Sequence, residues 1–135
     1  MTRVMQTLPA TRAAAIAAAT GFAGIALFQL ALAMGAPLGR AAWGGAISGQ
    51  LPAGLRAASV LAMLIWSFAA LVVLARVGLG PLPPVAWTTW ITWILFGLLS
   101  LGTLMNVASS SPWERYFWGP YALVLAVLTL VVGRS

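Results

Sequence analysis

The chain has 135 residues, 62% of them hydrophobic and 6% charged, and its seven arginines against one glutamate give a net charge of +6. A soluble domain carries roughly 25% charged residues, and a chain this short could not cover so much apolar side chain with polar surface. Cysteine and histidine are absent, which excludes disulfides, thiolate nucleophiles, zinc sites and imidazole-ligated haem, so no metal or cofactor is expected.

Lysine is also absent, and the arginines are scattered singly near the ends of apolar runs. That placement suits phospholipid headgroups rather than a phosphate-tracking patch, and nucleic acid is not expected as a partner. The length leaves room for a single membrane domain over 1–135 and no soluble module. An Ala- and Arg-rich, Lys-free composition is associated with GC-rich bacterial genomes.

Residues 1–12 carry Arg3 and Arg12 and stay outside the hydrocarbon. No charge interrupts 13–35, and about 20 such residues cross a bilayer as a helix. Ala31-Leu32-Ala33 looks like a signal-peptidase site, but the apolar region exceeds the usual ~7–15 residues of a signal peptide, so a retained span is expected. Ala14, Ala17, Gly21 and Gly24 give this helix a face nearly free of bulk. Small faces let helices approach closely in lipid, which makes this one a candidate homo-oligomer contact.

The first loop, 36–56, is long, apolar and rich in glycine, and each glycine would cost a helix about 1 kcal/mol. It carries Arg40, Trp43 and Arg56 and is expected to lie on the membrane surface or dip beneath protein cover. Pro52 suits the first position of the next helix. The second span, 57–77, is bounded by Arg56 and Arg76, which can snorkel to opposite headgroup layers. Gly78 to Pro84 is short, proline-stiffened and forces a reversal.

The third span, 86–105, opens with Trp87, Trp90 and Trp93. Such a stripe suits an aromatic belt, with a cation cage or stacking platform as the sharper alternative. Thr88, Thr89 and Thr92 can bond back to their own helix. The stretch 106–120 then holds Glu114, the sole acidic residue. Ser111-Pro112-Trp113-Glu114 matches a helix start, with Ser as N-cap, Pro at the first position and Glu reaching back from the third. Trp113, Tyr116, Phe117, Trp118 and Tyr121 form an interfacial aromatic cluster. Gly119-Pro120 can kink or restart the last span, 117–133, which Arg134 terminates.

These readings combine into an all-α, transmembrane, up-down-up-down four-helix bundle with a long Gly-rich first loop. Four spans place Arg3, Arg12, Arg76 and Arg134 on one side and Arg40, Arg56 and Arg115 on the other. Four against three slightly favours N-in/C-in in the bacterial inner (cytoplasmic) membrane. The first and third loops must share a face in either orientation. That face gathers Arg40, Trp43, Arg56, Asn106, Ser109, Glu114 and Arg115 as candidate ligand- or partner-binding residues, with Gln29 and Asn106 one to two turns inside it. Each buried amide is expected to find a partner across the bundle. Glu114 either caps its helix or pairs with Arg56 or Arg40, which would tie the two loops together.

Catalysis is poorly supplied. One carboxylate, two tyrosines and no histidine do not make an acid–base pair, and the serines lack a histidine or lysine base. Small multidrug exporters resemble the chain in size and span count but keep a glutamate inside the first span, where 13–35 has none. Small four-span fluoride channels are matched only by Thr88-Thr89-Trp90-Ile91, a faint echo of their signature. The chain also resembles short four-span bacterial membrane proteins of unassigned function. Gly35-x-Pro37-x-Gly39, Ala42-Trp43-Gly44-Gly45, Leu51-Pro52, Arg56, Asn106, Ser109, Ser111, Glu114 and Pro120 carry that likeness, which implies a fold and a membrane address. The function expected is a non-enzymatic binding or accessory bundle for a lipid, an anion or a partner protein at loops 36–56 and 106–120. The alternatives are a small oligomeric channel or exporter, and a lipid-modifying membrane enzyme.

Overall fold

A computed structural model describes residues 8–135, and Arg3 lies outside the described residues. Four long helices make up the structure: α1 (Pro9–Ala33), α2 (Ala53–Ala75), α3 (Ala86–Ala108) and α4 (Gly119–Gly133), with a π turn at Glu114–Trp118 leading into α4. No strand occurs among the described residues. α1, α2, α3 and the rod Glu114–Gly133 are each long and apolar enough to cross a membrane.

Helix α1 starts four residues before the uncharged run, because Pro9 suits a first turn and nothing between it and Ala13 breaks a helix. It ends in a Schellman motif. The Ala36 N–H donates to the Ala31 carbonyl at 3.0 Å and the Gly35 N–H to Leu32 at 3.1 Å, with Gly35 at φ +97. A left-handed residue is needed there, and glycine supplies it without a Cβ penalty. α2 ends the same way at Gly78. Pro52 is the N-cap of α2 rather than its first residue, so Arg56 sits in that helix and not in the loop. α3 runs on to Ala108, which places Asn106 on the helix as well.

The core follows from residue size. Ala14, Ala15, Ala18, Ala19, Phe22 and Ala26 are buried along α1 at helical spacing, and Phe22 stacks on Trp66 of α2 with ring centroids 5.5 Å apart. Ala69 and Val73 of α2, Leu95 and Leu99 of α3, and Leu125 and Ala126 of α4 complete it. α1 packs mainly on α2 and α3 on α4, with α1 against α4 joining the two pairs.

Much of the bulk-free face of α1 is used inside the chain. A Cβ on Gly21 would collide with Leu125, and one on Gly24 would stand 2.6 Å from the Tyr121 hydroxyl. Tyr121 donates that hydroxyl to the Gly21 carbonyl. Ala14 is buried, whereas Ala17 is exposed. Thr88 and Thr92 bond back to the carbonyls of Val85 and Thr88, at 2.6 and 2.7 Å.

At one end of the bundle the first loop meets the α3–α4 turn through Ser111 and Arg40. At the other, Arg76 Nη2 reaches the Ser135 carbonyl at 3.5 Å. Both contacts are compatible with an up-down-up-down arrangement. Gly24→Leu should force α4 away from α1 and cost about 1–3 kcal/mol, the usual range for overpacking. Ala17→Leu should stay within about 0.5 kcal/mol of wild type. Thermal unfolding of the detergent-solubilised variants compares the two.

Candidate functional site

The rim is the end where α1 and α3 finish and α2 and α4 begin. After Gly35 the first loop folds into two short 3-10 turns, Gly39–Ala41 and Trp43–Gly45, as its glycines predict for a segment that cannot stay helical. The Gly39 N–H donates to the Gly49 carbonyl at 2.9 Å and closes the loop on itself. Leu32, Ala42 and Leu51 form a small buried core beneath it.

Trp43, Gly44 and Gly45 all have positive φ, at +50, +82 and +72. With the Gly45 N–H donating to the Ala42 carbonyl at 2.9 Å, this is a tight left-handed turn of the type that glycine normally supplies. A tryptophan in that conformation is strained by about 1–3 kcal/mol. What holds it is its indole N–H, which donates to the buried Ser59 hydroxyl of α2 at 3.0 Å. The turn brings Gly45 so close to the third loop that a Cβ there would stand 2.6 Å from Ser111 Cβ.

The third loop answers with hydroxyls. Ser111, 5% exposed, donates to the Arg40 carbonyl at 2.6 Å and accepts a long 3.4 Å bond from the Glu114 N–H, as an N-cap should. Ser109 accepts the Ser111 N–H at 3.1 Å and donates to Glu114 Oε1 at 2.6 Å. Glu114 Oε2 accepts the Gly44 N–H at 3.2 Å. The expected capping box is therefore relayed, with the Ser109 hydroxyl standing between the carboxylate and the Ser111 amide.

The expected pairing of Glu114 with Arg56 or Arg40 does not form, and no ion pair joins Glu114 to an arginine among the described residues. The two loops are tied, but through the Gly44 amide and the Arg40 carbonyl. Arg56 is turned to α1, where Nε donates to the Ala33 carbonyl at 3.0 Å. A cation there satisfies a helix C-terminal carbonyl and opposes the negative end of the dipole. Arg115 is exposed.

The two amides also depart from expectation. Asn106 Nδ2 donates to the Gly102 carbonyl of its own helix at 2.7 Å, and Gln29 Oε1 is buried without a hydrogen-bond partner. Neither reaches across the bundle. Asn106 has a carbonyl one turn back within easy reach, a cheaper solution than an interhelical bond.

Two hollows open beside the network. The first, about 320 Å³, is bordered by Arg40, Gly45, Ser48, Ser110, Ser111 and Trp113 and is about half polar. The second, about 470 Å³, is mostly apolar, bordered by Phe28, Leu38, Arg40, Trp113, Phe117 and Trp118. Arg40 and Trp113 border both.

The aromatic wall depends on the π turn. Pro120 has no N–H to offer the Tyr116 carbonyl, and its ring would crowd that oxygen in a regular helix. The chain widens by one residue instead, and the Gly119 N–H bonds the Glu114 carbonyl. Trp118 then packs on Phe28 of α1 at 4.8 Å and on Phe117 at 4.9 Å. No family model, curated protein or solved structure matches the chain.

Of the residues singled out in the sequence, Arg40, Trp43, Ser109 and Glu114 come together at this rim. Arg56 borders it from α2, bonded to the end of α1, while Gln29, Asn106 and Arg115 take no part in the network. The sequence reading left out Gly44, Phe28, Leu38, Phe117 and Trp118 as site residues. Gly44-Gly45 and Gly119-Pro120 were the available signals.

Ser111→Ala should leave the Arg40 carbonyl unpaired and cost about 1–3 kcal/mol. Arg40→Gln, which touches a side chain that makes no hydrogen bond among the described residues, should leave stability within about 0.5 kcal/mol of wild type. Glu114→Ala should speed amide exchange across residues 40–48, because Gly44 loses its acceptor. Thermal unfolding and hydrogen–deuterium exchange read these outcomes, and a stability loss in Arg40→Gln larger than in Ser111→Ala would restore the ion-pair model.

Proposed function

We propose that this is an integral, multi-pass protein of the bacterial cytoplasmic membrane, N-in/C-in, whose rim binds a ligand and performs no chemistry. The observation that carries the reading is the position of Arg40. Arg40, whose guanidinium is always charged in a protein, borders both a polar and an apolar hollow and has no carboxylate partner among the described residues.

Four long apolar helices support membrane residence. The bacterial address rests on composition, and the orientation on the slight arginine excess expected for the N- and C-terminal side. The chemistry of the rim favours binding over catalysis. Both oxygens of Glu114 accept hydrogen bonds that fasten the loops, and Ser109 and Ser111 are engaged in the same network rather than activated by a base. A channel assembled through the small face of α1 would first have to displace Leu125 and Tyr121 from Gly21 and Gly24.

Because the chain lacks cysteine, single-cysteine variants report without background. Ser48→Cys and Ser110→Cys should react with a membrane-impermeant maleimide from outside intact cells, and Leu82→Cys only after permeabilisation. Purified wild type should carry a co-extracted molecule, visible by mass spectrometry, that the double variant Trp113→Ala/Phe117→Ala loses. Labelling of Ser48→Cys and Ser110→Cys from opposite compartments would overturn the shared face of the two loops and leave only membrane residence. Identical extracts from wild type and the double variant would overturn the rim as a binding site.

A further inference from the structure

We infer that the rim ligand is a single anionic phospholipid, with its phosphate on Arg40 in the polar hollow and one acyl chain in the aromatic groove. This rests on the rim being a binding site, and it names what is bound.

The two hollows differ in kind and share a border, which is the shape of an amphiphile's site. The polar one is bordered by Arg40 and by Ser48 and Ser110, whose hydroxyls make no hydrogen bond among the described residues. Guanidinium is the side chain best matched to phosphate, through two parallel N–H donors. The apolar one is walled by Phe28, Leu38, Phe117 and Trp118, and its volume falls within the range of small-molecule sites. It also points the right way. Phe28 lies five residues before the end of α1, so the groove descends about 7–8 Å from the rim toward the middle of the helices.

Charge decides between lipid classes. Choline brings a quaternary ammonium, which has no N–H to donate but needs a counter-charge, and the only acidic side chain of the chain is already occupied by Gly44 and Ser109. Glu114 does not border the polar hollow. An ammonium there would face Arg40 with no counter-charge, whereas a glycerol headgroup meets two free serine hydroxyls. Phosphatidylglycerol should therefore be favoured over phosphatidylcholine.

The test is native mass spectrometry of the full chain, released from micelles doped with equal amounts of phosphatidylglycerol and phosphatidylcholine of the same acyl composition. Wild type should retain one phosphatidylglycerol in preference to phosphatidylcholine by about tenfold, the low end of the cost of one like-charge contact between ammonium and guanidinium. Arg40→Gln should reduce that preference to within about twofold, and Arg40→Lys, which keeps the charge without the fork, should fall between. Ala41 also lines the groove, and Ala41→Phe should fill it and lower retention of both lipids. Excess inorganic phosphate should not displace the lipid, and displacement would assign the site to a free anion and overturn the lipid. Equal retention of the two lipids by wild type would overturn the inference and leave the rim as a lipid site. A wild type that holds no lipid, with Ala41→Phe and Arg40→Gln indistinguishable from it, would overturn both.

Discussion

A loop that crosses the end of an apolar bundle must find a partner for every amide and carbonyl it buries, and water is in short supply there. At this rim the shortage is met by two side chains from the opposite loop. Ser111 serves the Arg40 carbonyl, and Glu114 serves the Gly44 amide. A net hydrogen bond contributes only about 0.5–1.5 kcal/mol, while an unmet buried group costs about 1–3. These contacts are therefore better understood as what permits the loop's shape than as what drives it. The shape itself, three left-handed residues in succession, presents the Gly44 N–H to the carboxylate.

The same economy runs down the bundle. Gly21 and Gly24 let α4 approach α1 closely enough for the Tyr121 hydroxyl to reach the Gly21 carbonyl. The Tyr121 ring meanwhile packs against Trp118 and Phe117, at 5.1 and 5.8 Å, so one residue links the α1–α4 seam to the wall of the groove. Trp118 carries the wall on to Phe28. The π turn sits at the top of this run, where the missing N–H of Pro120 obliges the helix to change pitch. Helix packing below and loop chemistry above thus meet at a feature with one covalent cause.

Hydropathy made the four helices legible, because a run long enough to cross a bilayer admits few other structures. Helix ends were less so: Arg12 and Arg56 halt an apolar run but not a helix, and both lie within their helices. Glycine spacing correctly predicted a non-helical first loop, and the Ser-Pro-Trp-Glu start of the last rod was readable from capping rules. The partner of Glu114 was not readable. Opposite charges are written in the sequence, whereas the Gly44 amide that accepts this role exists in every residue and is selected only by the turn that aims it. The partner of Trp43 was unreadable for a related reason. Its ring suits a headgroup anchor, but its N–H is spent on Ser59, a residue with no sequence signal beyond being a small hydroxyl within an apolar run.

Using a backbone amide rather than an arginine as the partner of Glu114 has an electrostatic consequence. In a medium of low dielectric, a paired glutamate and arginine would nearly cancel at any distance a ligand could sense. Glu114 is turned into the loop junction by its bonds to Gly44 and Ser109, and Arg40 borders the hollow that Ser111 also lines. The carbonyl of Arg40 is held in place by Ser111, so its backbone is positioned while its side chain is unpaired among the described residues. Order in the main chain and freedom in the charge is the combination a binding residue needs, since less conformational freedom is left to lose when a ligand arrives. Had the rim been tied by the ion pair that charge counting predicts, the loops would be held as well and the cation would be spent.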